Sequence, residues 1–563
     1  MQTKQFSELV SKEIIKRKLK TKKSIIKLIN SLSKKYKPNK LPSFTQIILA
    51  TNKKHRKKIA SLLSTKPSRN ISGVSVVAVM TKPIKCPHVK TGVGPCIMCP
   101  GGPNSTFGDV PQSYTGNEPA SRRAARNLYN PYLQIFNRLQ QYILLGHFPT
   151  KIELIIMGGT FPSFPKTYQN NFIKDCFKAL NDFSKLLLKN NQVNWEKFID
   201  FFELDYENRM DKQEIIHKKI KQIYKKRKTT LEKEQKTNEK TISRCIALVI
   251  ETRPDYCKQK HINLMLKQGV TRVELGIQSI YNKVLDKIQR GHTVEDSIKA
   301  TKLLKDSCLK VGYHLLLGAP ESSPSLDIKM IKELFFNPNF KPDALKLYPC
   351  MVFKGTKLYD IYKQGKYHPL TTKQAGKLIA EMKKYVPPYC RIMRVQRDIP
   401  TKYSIAGVQR TNLRQYVHEE LKRQKIICQC IRCKQITPKD KIGKINLKRI
   451  DYLASNGKEI FLYLTTNKRL IGFCRLRIPS NNKNNLLLRE LHVYSESLPL
   501  KSKAKKGQFQ HRGFGKQLMK QAEKIAKEFK RNKIIVISGI GVRDYYRKLS
   551  YKKEKTYMTK KLR

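Results

Sequence analysis

The sequence predicts an α/β chain in which a partial (β/α) barrel is followed by a smaller α+β domain, with a cysteine-rich linker between them. Three observations support this prediction. Six short apolar runs alternate with amphipathic stretches of helical length between residues 71 and 400. Three neighbouring apolar runs after residue 440 have the spacing of antiparallel strands. Between these two regions, residues 401–440 contain the motif CQCIRC.

Residues 1–70 form the first predicted segment, which is basic and mostly helical in pattern. It contains KKHRKK at residues 53–58, and Tyr36 and His55 are interleaved with its lysines. Basic side chains mixed with rings are typical of surfaces that bind RNA. We therefore expect this segment to contact RNA, and the alternative is a solvated basic surface without a partner.

The predicted barrel, residues 71–400, depends on apolar runs that read as parallel strands. The runs are GVSVVAVM (73–80), KIELIIMGG (151–159), IALVIETR (246–253), RVELGIQS (272–279), KVGYHLLLG (310–318) and DALKLYP (343–349). In this architecture the chemistry lies at the carboxyl ends of the strands. The charged stretch 217–240, between the second and third runs, has the composition of a solvated helix or a disordered excursion.

The charge of the chain indicates the kind of partner it binds. Its 563 residues include 115 Lys and Arg against 42 Asp and Glu, which gives a formal net charge of +73. A charge of this size favours a polyanion such as nucleic acid, although drift of an AT-rich coding sequence towards lysine is an alternative origin. No apolar run reaches the roughly 18 residues of a membrane span, so we expect no membrane partner and a cytoplasmic or nuclear location.

The motif CPHVKTGVGPCIMC places Cys86, Cys96 and Cys99 directly after the first predicted strand. Three thiolates can hold a [4Fe-4S] cluster with one iron left open to a ligand, whereas clusters that only carry electrons use four protein ligands. A zinc site is the alternative, and His88 would then be its fourth ligand. The spacing favours the cluster and leaves the zinc site open.

A second cluster, Cys428, Cys430 and Cys433, lies in the linker region 401–440. The spacing C-x-C-x2-C predicts a structural zinc site that still needs one more ligand. The sequence offers His418, Cys390 or Cys350 for that position and does not choose between them. A cluster that binds no metal is the alternative.

The last predicted domain, residues 441–563, combines strands with one clear helix. Gly513, Phe514 and Gly515 belong to the motif QHRGFG, which precedes a helical pattern extending to about residue 529. Free N–H groups at the start of a helix attract phosphate. We therefore expect this turn to cradle a pyrophosphate group.

Motifs along most of the chain resemble one known family. They include SGVSVVAVMTKPIKCPHVKTG, QSYTGNEPASRRAARNLYNPYLQ, IETRPDYC, TRVELGIQS, RVQRDIP, QHRGFGKQLM and SGIGVRDYYRKLSY, in this order. This set resembles the family of Elongator catalytic subunits, in which a radical S-adenosylmethionine (SAM) barrel is fused to a GNAT acetyltransferase domain. The resemblance implies a radical-SAM barrel followed by a GNAT domain.

The resemblance also implies the ligands of the barrel. Cys86, Cys96 and Cys99 would hold a [4Fe-4S] cluster whose open iron is chelated by SAM. Gly158 and Gly159, in the turn after the second strand, would lie against the methionine end of SAM, where glycine permits close approach of the backbone. Further residues at later strand ends or loops are candidates for the same pocket: Glu274, Gln278 and Arg290.

For the last domain the resemblance implies acetyl-CoA. The strand containing Glu490, Leu491, His492 and Val493 would offer backbone groups to pantetheine. Tyr545 and Tyr546 lie where such enzymes often place a general acid for the departing thiolate, and we expect Tyr546 to face the cofactor. Lys151, at the start of the second barrel strand, would contact acetyl-CoA from the barrel side.

The implied function joins the two halves of the chain. It is carboxymethylation of the wobble uridine (U34) of tRNA at C5, with the anticodon stem-loop of tRNA and other Elongator subunits as partners. An acetyltransferase for protein lysines, such as those of histones, with the barrel as a scaffold is the alternative. A non-catalytic RNA-binding subunit is a third possibility.

Overall fold

The computed structural model describes residues 1–65, 73–204, 211–437, 440–441, 443–482, 484–494 and 513–562. Three predicted features lie partly outside these ranges. They are the boundary between the first two segments at residue 70, the end of the linker near residue 440, and residues 510–512 of the motif QHRGFG.

The basic amino-terminal segment is a small bundle of four helices. Its apolar faces pack around Phe6, Val10, Ile25 and Ile47, which are buried in a core separate from that of the barrel. Because the apolar side chains fill this core, the lysines of the bundle lie on its surface. The helices are α1 (Thr3–Lys16), α2 (Lys22–Tyr36), α3 (Phe44–Ala50) and α4 (Lys53–Leu62).

The barrel is a sheet of seven parallel strands, and each strand pairs with its neighbour in the order of the chain. The predicted fold class is confirmed, since all six predicted runs form strands of this sheet. The strands are β1 (Ser75–Met80), β2 (Lys151–Met157), β5 (Arg244–Thr252), β6 (Arg272–Gln278), β7 (Lys310–Leu317), β8 (Ala344–Pro349) and β9 (Arg391–Arg394).

Helices surround the barrel strands, and a two-stranded hairpin follows the longest helix. The helices are α5 (Pro119–Arg126), α6 (Pro131–Leu144), α7 (Lys166–Leu187), α8 (Trp195–Phe201), α9 (Lys212–Lys225), α10 (Leu231–Asn238), α11 (Gln259–Gln268), α12 (Asn282–Lys287), α13 (Val294–Asp306), α14 (Pro324–Phe336), α15 (Lys357–Lys363) and α16 (Thr372–Met382). The hairpin is β3 (Leu188–Lys189) and β4 (Gln192–Val193).

The linker and the last domain complete the described chain. The linker contains α17 (Leu413–Arg423) and α18 (Ile431–Lys434). The last domain has a seven-stranded sheet in the order β10-β11-β12-β13-β14-β16-β15, in which only β13 and β14 pair in parallel. Its elements are β10 (Ile445–Ala454), β11 (Gly457–Thr466), β12 (Arg469–Pro479), β13 (Asn485–Val493), α19 (Phe514–Glu528), β14 (Lys533–Val536), α20 (Arg543–Arg547), β15 (Lys552–Glu554) and β16 (Tyr557–Lys561).

Several parts of the fold differ from the sequence prediction, among them the short strands β3, β4, β15 and β16. The seventh barrel strand, β9, was not predicted because four residues reading RIMR carry no clear apolar pattern. The edge strand β10 was not predicted either, because most of its side chains are exposed and several are charged. The charged stretch 217–240 is structured, since α9 and α10 bury Ile216, Ile220 and Leu231 against the main core.

The last domain packs against the amino-terminal ends of the barrel strands. Arg489 on β13 donates to both carboxylate oxygens of Asp343, at 2.7 and 2.8 Å, and to the carbonyl of Leu309 at 2.8 Å. Gly539 and Gly541 follow β14 and lie against the start of β5, so closely that an added Cβ would meet backbone atoms there. The two domains share one continuous apolar core.

Candidate active sites

A cavity of about 200 Å³ lies at the carboxyl ends of the barrel strands, the end opposite the last domain. It brings together residues that are far apart in the sequence, from the loop after β1 to the loop after β9. Its lining includes the three cysteines, Cys86, Cys96 and Cys99, and also Gly159, Glu274, Gln278 and Arg290, whereas the predicted Gly158 and His88 are not part of it.

The cysteine loop folds back on itself and is anchored to the rest of the barrel. Gly92 and Gly94 adopt φ of 78° and 74°, which allows the chain to reverse between the first and second cysteines. The N–H of Ile97 donates to the carbonyl of Ile288 at 3.2 Å, and the carbonyl of Ile97 accepts from the N–H of Leu358 at 2.9 Å. The loop is thereby held over the cavity from two sides.

Donors and positive groups surround the three thiols. The amide of Gln112 donates to Sγ of Cys99 at 3.0 Å, and the Arg290 guanidinium donates to Sγ of Cys96 at 3.5 Å. Burial raises the pKa of Cys99 to about 11 and also raises that of Cys86, while nearby arginines act in the opposite direction. A cluster that binds the thiolates would offset this cost of burial, and donors aimed at sulfur suit such ligands.

The alternative zinc site at this loop finds less support in the geometry. Two groups of three residues in the described part of the chain bring all their ligand atoms within 4.8 Å of one another, and the thiols of this loop are not among them. Four ligands around a single zinc ion would be drawn together more closely than this. His88 accepts from Arg253 at 3.0 Å and lies 3.5 Å from Asp255, so its ring is held by the barrel.

Gly158 and Gly159 form the turn at the end of β2, with φ of 114° and 96°. At Gly158 an added Cβ would lie 2.3 Å from Oγ1 of Thr81, whose hydroxyl donates to the carbonyl of Gly158 at 2.9 Å. Only glycine fits this turn, which keeps the end of β2 close to the end of β1. Gly159 in turn borders the cavity.

The three further pocket candidates line the same cavity from neighbouring elements. Gln278 ends β6 with φ of 67°, a value rare for a residue with a side chain, at a break in the register with β7. Arg290 donates to the carbonyl of Gly276 at 2.5 Å, which holds its guanidinium over the cysteine loop. Glu274 lies deeper in the barrel and is almost fully buried.

Sequence reasoning missed a set of charged residues inside the barrel. Glu251 and His314 line the cavity beside Glu274, and Lys346 lies behind them, where its ammonium contacts both carboxylates. The signal was present in the sequence, because these residues stand within strands that are otherwise apolar. A charge in a strand buried on both faces must point into the barrel and be paired there.

The second candidate site lies in the last domain, where β13 continues beyond its pairing with β14. The strands pair from Asn485 with Lys533 to Leu488 with Val536, and the pairing ends there, whereas β13 extends to Val493. Gly513, with φ of 85°, directly precedes Phe514, the first residue of α19. An added Cβ on Gly515 would lie 2.8 Å from the hydroxyl of Tyr545. The site therefore combines a strand that has separated from its neighbour with a glycine turn at the start of a helix.

The predicted acetyl-CoA residues on β13 lie beyond the last pairing with β14 and pair with β12 instead. The partners in register are Glu490 with Arg475, Leu491 with Cys474, His492 with Phe473 and Val493 with Gly472. Glu490 contacts Lys310 and Arg475, which outweigh the effect of burial and lower its pKa to about 2. Burial lowers the pKa of His492 to about 4, and its ring stacks on Phe473.

The adjacent tyrosines of α20 have different surroundings. Tyr546 is buried, and its ring packs against those of Tyr545 and Tyr551 in the core. The Tyr545 hydroxyl has no hydrogen-bond partner among the described residues, and it lies over the turn that opens α19. Of the two predicted residues, the one whose hydroxyl faces this turn is therefore Tyr545.

Lys151 lies at the end of the barrel that carries the last domain. It pairs in register with Arg244, and Arg244 borders Gly541 in the loop after β14. Burial lowers the pKa of Lys151 to about 8. The structure therefore brings Lys151 to the side of the barrel that faces the acetyl-CoA residues.

The linker cysteines form a compact group. Sγ atoms of Cys428, Cys430 and Cys433 lie within 4.8 Å of one another, and the Lys383 ammonium lies 3.4 Å from Sγ of Cys433. Among the candidate fourth ligands, Cys390 lies next to this group, because its carbonyl accepts a hydrogen bond from the N–H of Ile431, the first residue of α18, at 3.0 Å. Cys350 belongs to another apolar cluster, and His418 stands among basic side chains.

Comparisons with known proteins bear on both sites. Family models match residues 3–71 (ELP3 N-terminal domain), 208–327 (Radical SAM superfamily), 342–423 (Radical_SAM C-terminal domain) and 430–551 (acetyltransferase (GNAT) family). Elongator complex protein 3 of Saccharomyces cerevisiae is 38% identical over 552 residues, which cover 95% of this chain and 91% of the yeast protein. The chain belongs to the Elongator complex protein 3 family.

Other members of the Elongator complex protein 3 family are similar over the same length. A protein of Methanocaldococcus jannaschii named tRNA uridine(34) acetyltransferase is 45% identical, and the match covers 92% of this chain and 90% of that protein. The solved structure of Methanocaldococcus infernus Elp3 with an amino-terminal deletion (1-46) superposes with a TM-score of 0.68 at 40% identity. It covers 87% of this chain and 100% of that one.

Membership of this family implies a [4Fe-4S] cluster and SAM in the barrel, and acetyl-CoA suits the GNAT domain. The residues present fit these groups. Three thiols with donors aimed at them line one cavity, and a glycine turn opens a helix beside parting strands. Among the helices of the described residues, none has the length and apolar character needed to cross a bilayer.

Proposed function

We propose that this chain carboxymethylates the wobble uridine (U34) of tRNA at C5, with acetyl-CoA as carbon donor and SAM as radical source. The observation that supports this best is that one barrel has a three-cysteine cavity at one end and, packed against its other end, a domain whose strand pairing parts beside a glycine turn at a helix start. A GNAT domain that acetylates lysine would need only the second.

At the barrel end, Cys86, Cys96 and Cys99 would hold the cluster, and Gly158 and Gly159 would border the methionine part of SAM. When bound, the cluster and SAM supply a radical able to remove hydrogen from a methyl group. The protein contributes position and exclusion of water, because the cavity walls are formed by strand ends held in register. The methyl carbon is then joined to C5 of the uridine.

At the acetyl-CoA end, the roles are divided among a few groups. Gly513, Phe514 and Gly515 would present the start of α19 to the pyrophosphate. The backbone from Glu490 to Val493 would face pantetheine, and Lys151 would approach from the barrel. A tyrosine hydroxyl of the α20 pair would donate a proton to the departing thiolate when the thioester is hydrolysed.

The amino-terminal bundle would bind the tRNA scaffold around its anticodon stem-loop. On α4 the side chains of Lys54, Lys57 and Lys58 are exposed, whereas Ile59 faces the bundle core. Phosphate contacts of this kind hold an RNA in register without reading its sequence. The relatives named Elongator complex protein 3 further support other Elongator subunits as partners. A cytoplasmic or nuclear location is part of the proposal.

We further propose that Cys428, Cys430 and Cys433 hold a structural zinc ion. The close approach of the three thiols is what a single ion requires, and a closed zinc site would stabilise the junction of the two domains. The ammonium of Lys383 would then neutralise part of the negative charge of a zinc ion bound by several thiolates.

The test is nucleoside mass spectrometry of tRNA after anaerobic reconstitution with iron and sulfide, SAM, acetyl-CoA and a reductant. We expect carboxymethylated U34 with the native protein and with Cys176→Ala, whose thiol lies in the core. We expect none with Cys96→Ala, which loses the brown absorbance of the cluster but keeps acetyl-CoA hydrolysis that tRNA stimulates. Metal analysis should find zinc in Cys96→Ala and little in Cys430→Ser.

Other outcomes would reject the proposal. Acetylation of a lysine peptide that is indifferent to tRNA favours the protein acetyltransferase. Full modification by Cys96→Ala rejects the radical site. If acetyl-CoA is not turned over under any condition, the remaining interpretation is a non-catalytic RNA-binding subunit.

A further inference from the structure

A carboxylate and an imidazole form a pair in the wall of the cysteine cavity. Nε2 of His314 on β7 lies 2.9 Å from Oε2 of Glu274 on β6. Both residues line the cavity that Cys86, Cys96 and Cys99 also line. Neither the cysteine motif nor the predicted acetyl-CoA site accounts for this pair.

The surroundings of the pair fix its protonation. Lys346 on β8 contacts the carboxylates of Glu274 and of Glu251 on β5. Burial would raise the pKa of Glu274, but Lys346 and Arg272 outweigh it and hold this pKa well below its usual range. Burial and the charge of Lys346 lower the pKa of His314.

The imidazole is therefore neutral near pH 7, and its proton lies on Nε2, where the Glu274 carboxylate accepts it. Nδ1 then carries the free lone pair, and it has no hydrogen-bond partner among the described residues. The ring of Tyr348 packs edge-on against the imidazole, with centroids 5.6 Å apart. Arg394 on β9, near Tyr348, adds another positive charge to this wall.

The group is better suited to accept a proton than to bind a cation. Ligand atoms of Glu251, Glu274 and His314 lie within 4.8 Å of one another. The ammonium of Lys346, however, already contacts both carboxylates and repels a second positive charge. A carboxylate that orients an imidazole is the arrangement of a general base.

The proposed reaction requires such a base. The new bond joins the acetyl methyl carbon to C5 of the uridine, which already carries one hydrogen. To restore the C5–C6 double bond, the adduct loses one electron and that hydrogen as a proton. A one-electron carrier of the iron–sulfur class would take up the electron, and the proton needs an acceptor within the cavity.

We propose that Nδ1 of His314 accepts the C5 proton, and that Glu274 is the positioning residue that holds the imidazole in the required tautomer. This inference rests on the proposed function. Three other carboxylates in the cavity are less suited. Asp398 is held in an ion pair with Arg394. Glu251 is held by Lys346 and by the hydroxyl of Tyr114, at 2.7 and 3.2 Å.

Glu118 is the remaining rival base, because its Oε2 has no hydrogen-bond partner among the described residues. Its other oxygen accepts from the N–H and the hydroxyl of Thr115, at 2.9 and 3.2 Å. A carboxylate is ordinarily a weaker base than an imidazole. Glu274 and Lys346 set the state of His314, whereas Glu118 is held by Thr115.

The experiment measures single-turnover formation of modified U34 by His314→Gln and by the control His368→Gln, whose side chain is exposed. We expect His314→Gln to be at least about 100-fold slower. It should keep the cluster absorbance, formation of 5′-deoxyadenosine and tRNA-stimulated acetyl-CoA hydrolysis. The control should match the native rate.

Deuterium at C5 of the wobble uridine tests the assigned step. If proton loss limits His314→Gln, this variant is slower on deuterated than on ordinary tRNA. Equal rates on the two substrates mean that the variant is impaired at some other step, and this result overturns the proposal. Loss of modification in Glu118→Gln with normal activity in His314→Gln overturns it too.

A measurement on protein without cofactors decides the matter if His314→Gln does not assemble the cluster. In ¹⁵N NMR of the imidazoles, the proposal expects His314 at pH 7 with a proton on Nε2 and none on Nδ1. An imidazolium or the opposite tautomer contradicts the proposal. If the native protein fails to modify tRNA, the proposed function is rejected instead, so the two failures are distinct.

Discussion

Tyr545 and Tyr546 are neighbours in sequence, and yet one short helix gives them different environments. Burial raises the pKa of Tyr545 to about 12 and raises that of Tyr546 as well. Both hydroxyls are therefore protonated at neutral pH and could donate. What distinguishes them is position, because the Tyr545 hydroxyl lies over the turn at Gly515, whereas Tyr546 packs in the core.

We expect Tyr545→Phe to lower acetyl-CoA hydrolysis by at least tenfold, which corresponds to about 1.4 kcal/mol in the barrier. The physical reason is that phenylalanine cannot donate to the leaving thiolate. Release of CoA thiol in the presence of tRNA measures this rate. Tyr546→Phe is the matched control and should lose less activity, whereas the reverse order would assign the proton to Tyr546.

At the scale of elements, β12 and β13 bring buried arginines to the junction of the domains. Arg475, Arg477 and Arg489 are almost fully buried, and they meet Asp343 from the barrel and Glu459 from β11. A buried charge is tolerated only when partners surround it, so each member depends on the others. These strands therefore join the two domains by ionic contacts as well as by apolar packing.

We expect Arg489→Met to destabilise the protein by about 3–5 kcal/mol, because it leaves Asp343 and Glu459 buried without their main partner. Denaturant unfolding followed by circular dichroism measures the change. The control is Arg423→Met, which breaks an exposed contact with Glu420 and should change the stability far less, because solvent screens this pair. Equal effects of the two changes would show that the buried network is not stabilising.

The same network predicts the direction of the pH dependence. Arginines hold the pKa of Asp343 below its usual range against the effect of burial, and the pKa of Glu490 is lowered to about 2. Carboxyls with depressed pKa stabilise the folded state above the unfolded values near pH 4. Stability is lost as the pH falls from about 4 towards 2, and Arg489→Met should reduce this loss.

At the scale of the whole molecule, the net charge is +73, so the acidic residues are too few to pair with all of the lysines and arginines. The affinity for tRNA should therefore fall steeply with salt, by about 10³ to 10⁵ between 50 and 200 mM if six to ten phosphates are contacted. Filter binding or fluorescence anisotropy at several salt concentrations gives the slope. A flat response would mean that the charge reflects composition and not RNA binding.

Two matched triple variants locate the surface that binds tRNA. Changing Lys54, Lys57 and Lys58 on α4 to glutamine should reduce the slope of log affinity against log salt by about 0.7–0.9 for each phosphate that these lysines neutralise. The same change at three exposed lysines near β15 should leave the slope unchanged, since they lie far along the chain from the bundle. These control residues are Lys552, Lys553 and Lys555.

The sequence was sufficient for the elements with strong local signals. Short apolar runs that alternate with helical patterns predicted the barrel strands, and spacing alone grouped Cys86, Cys96 and Cys99. What it could not predict depends on contacts between distant residues. Strand β9 exists because β8 pairs with it, and the pairing of His314 with Glu274 follows from the register of two strands 40 residues apart.

The cysteine cavity and the predicted acetyl-CoA residues lie at opposite ends of one barrel, and β2 shows the distance between those ends. Lys151 begins this strand and Met157 ends it, so about 20 Å of extended backbone lies between the ends. A molecule the size of a nucleobase cannot contact both ends at once. Coordination between the two ends therefore requires either a donor with a long flexible arm or a change transmitted through the packed barrel interior. A substitution at one end need not weaken ligand binding at the other.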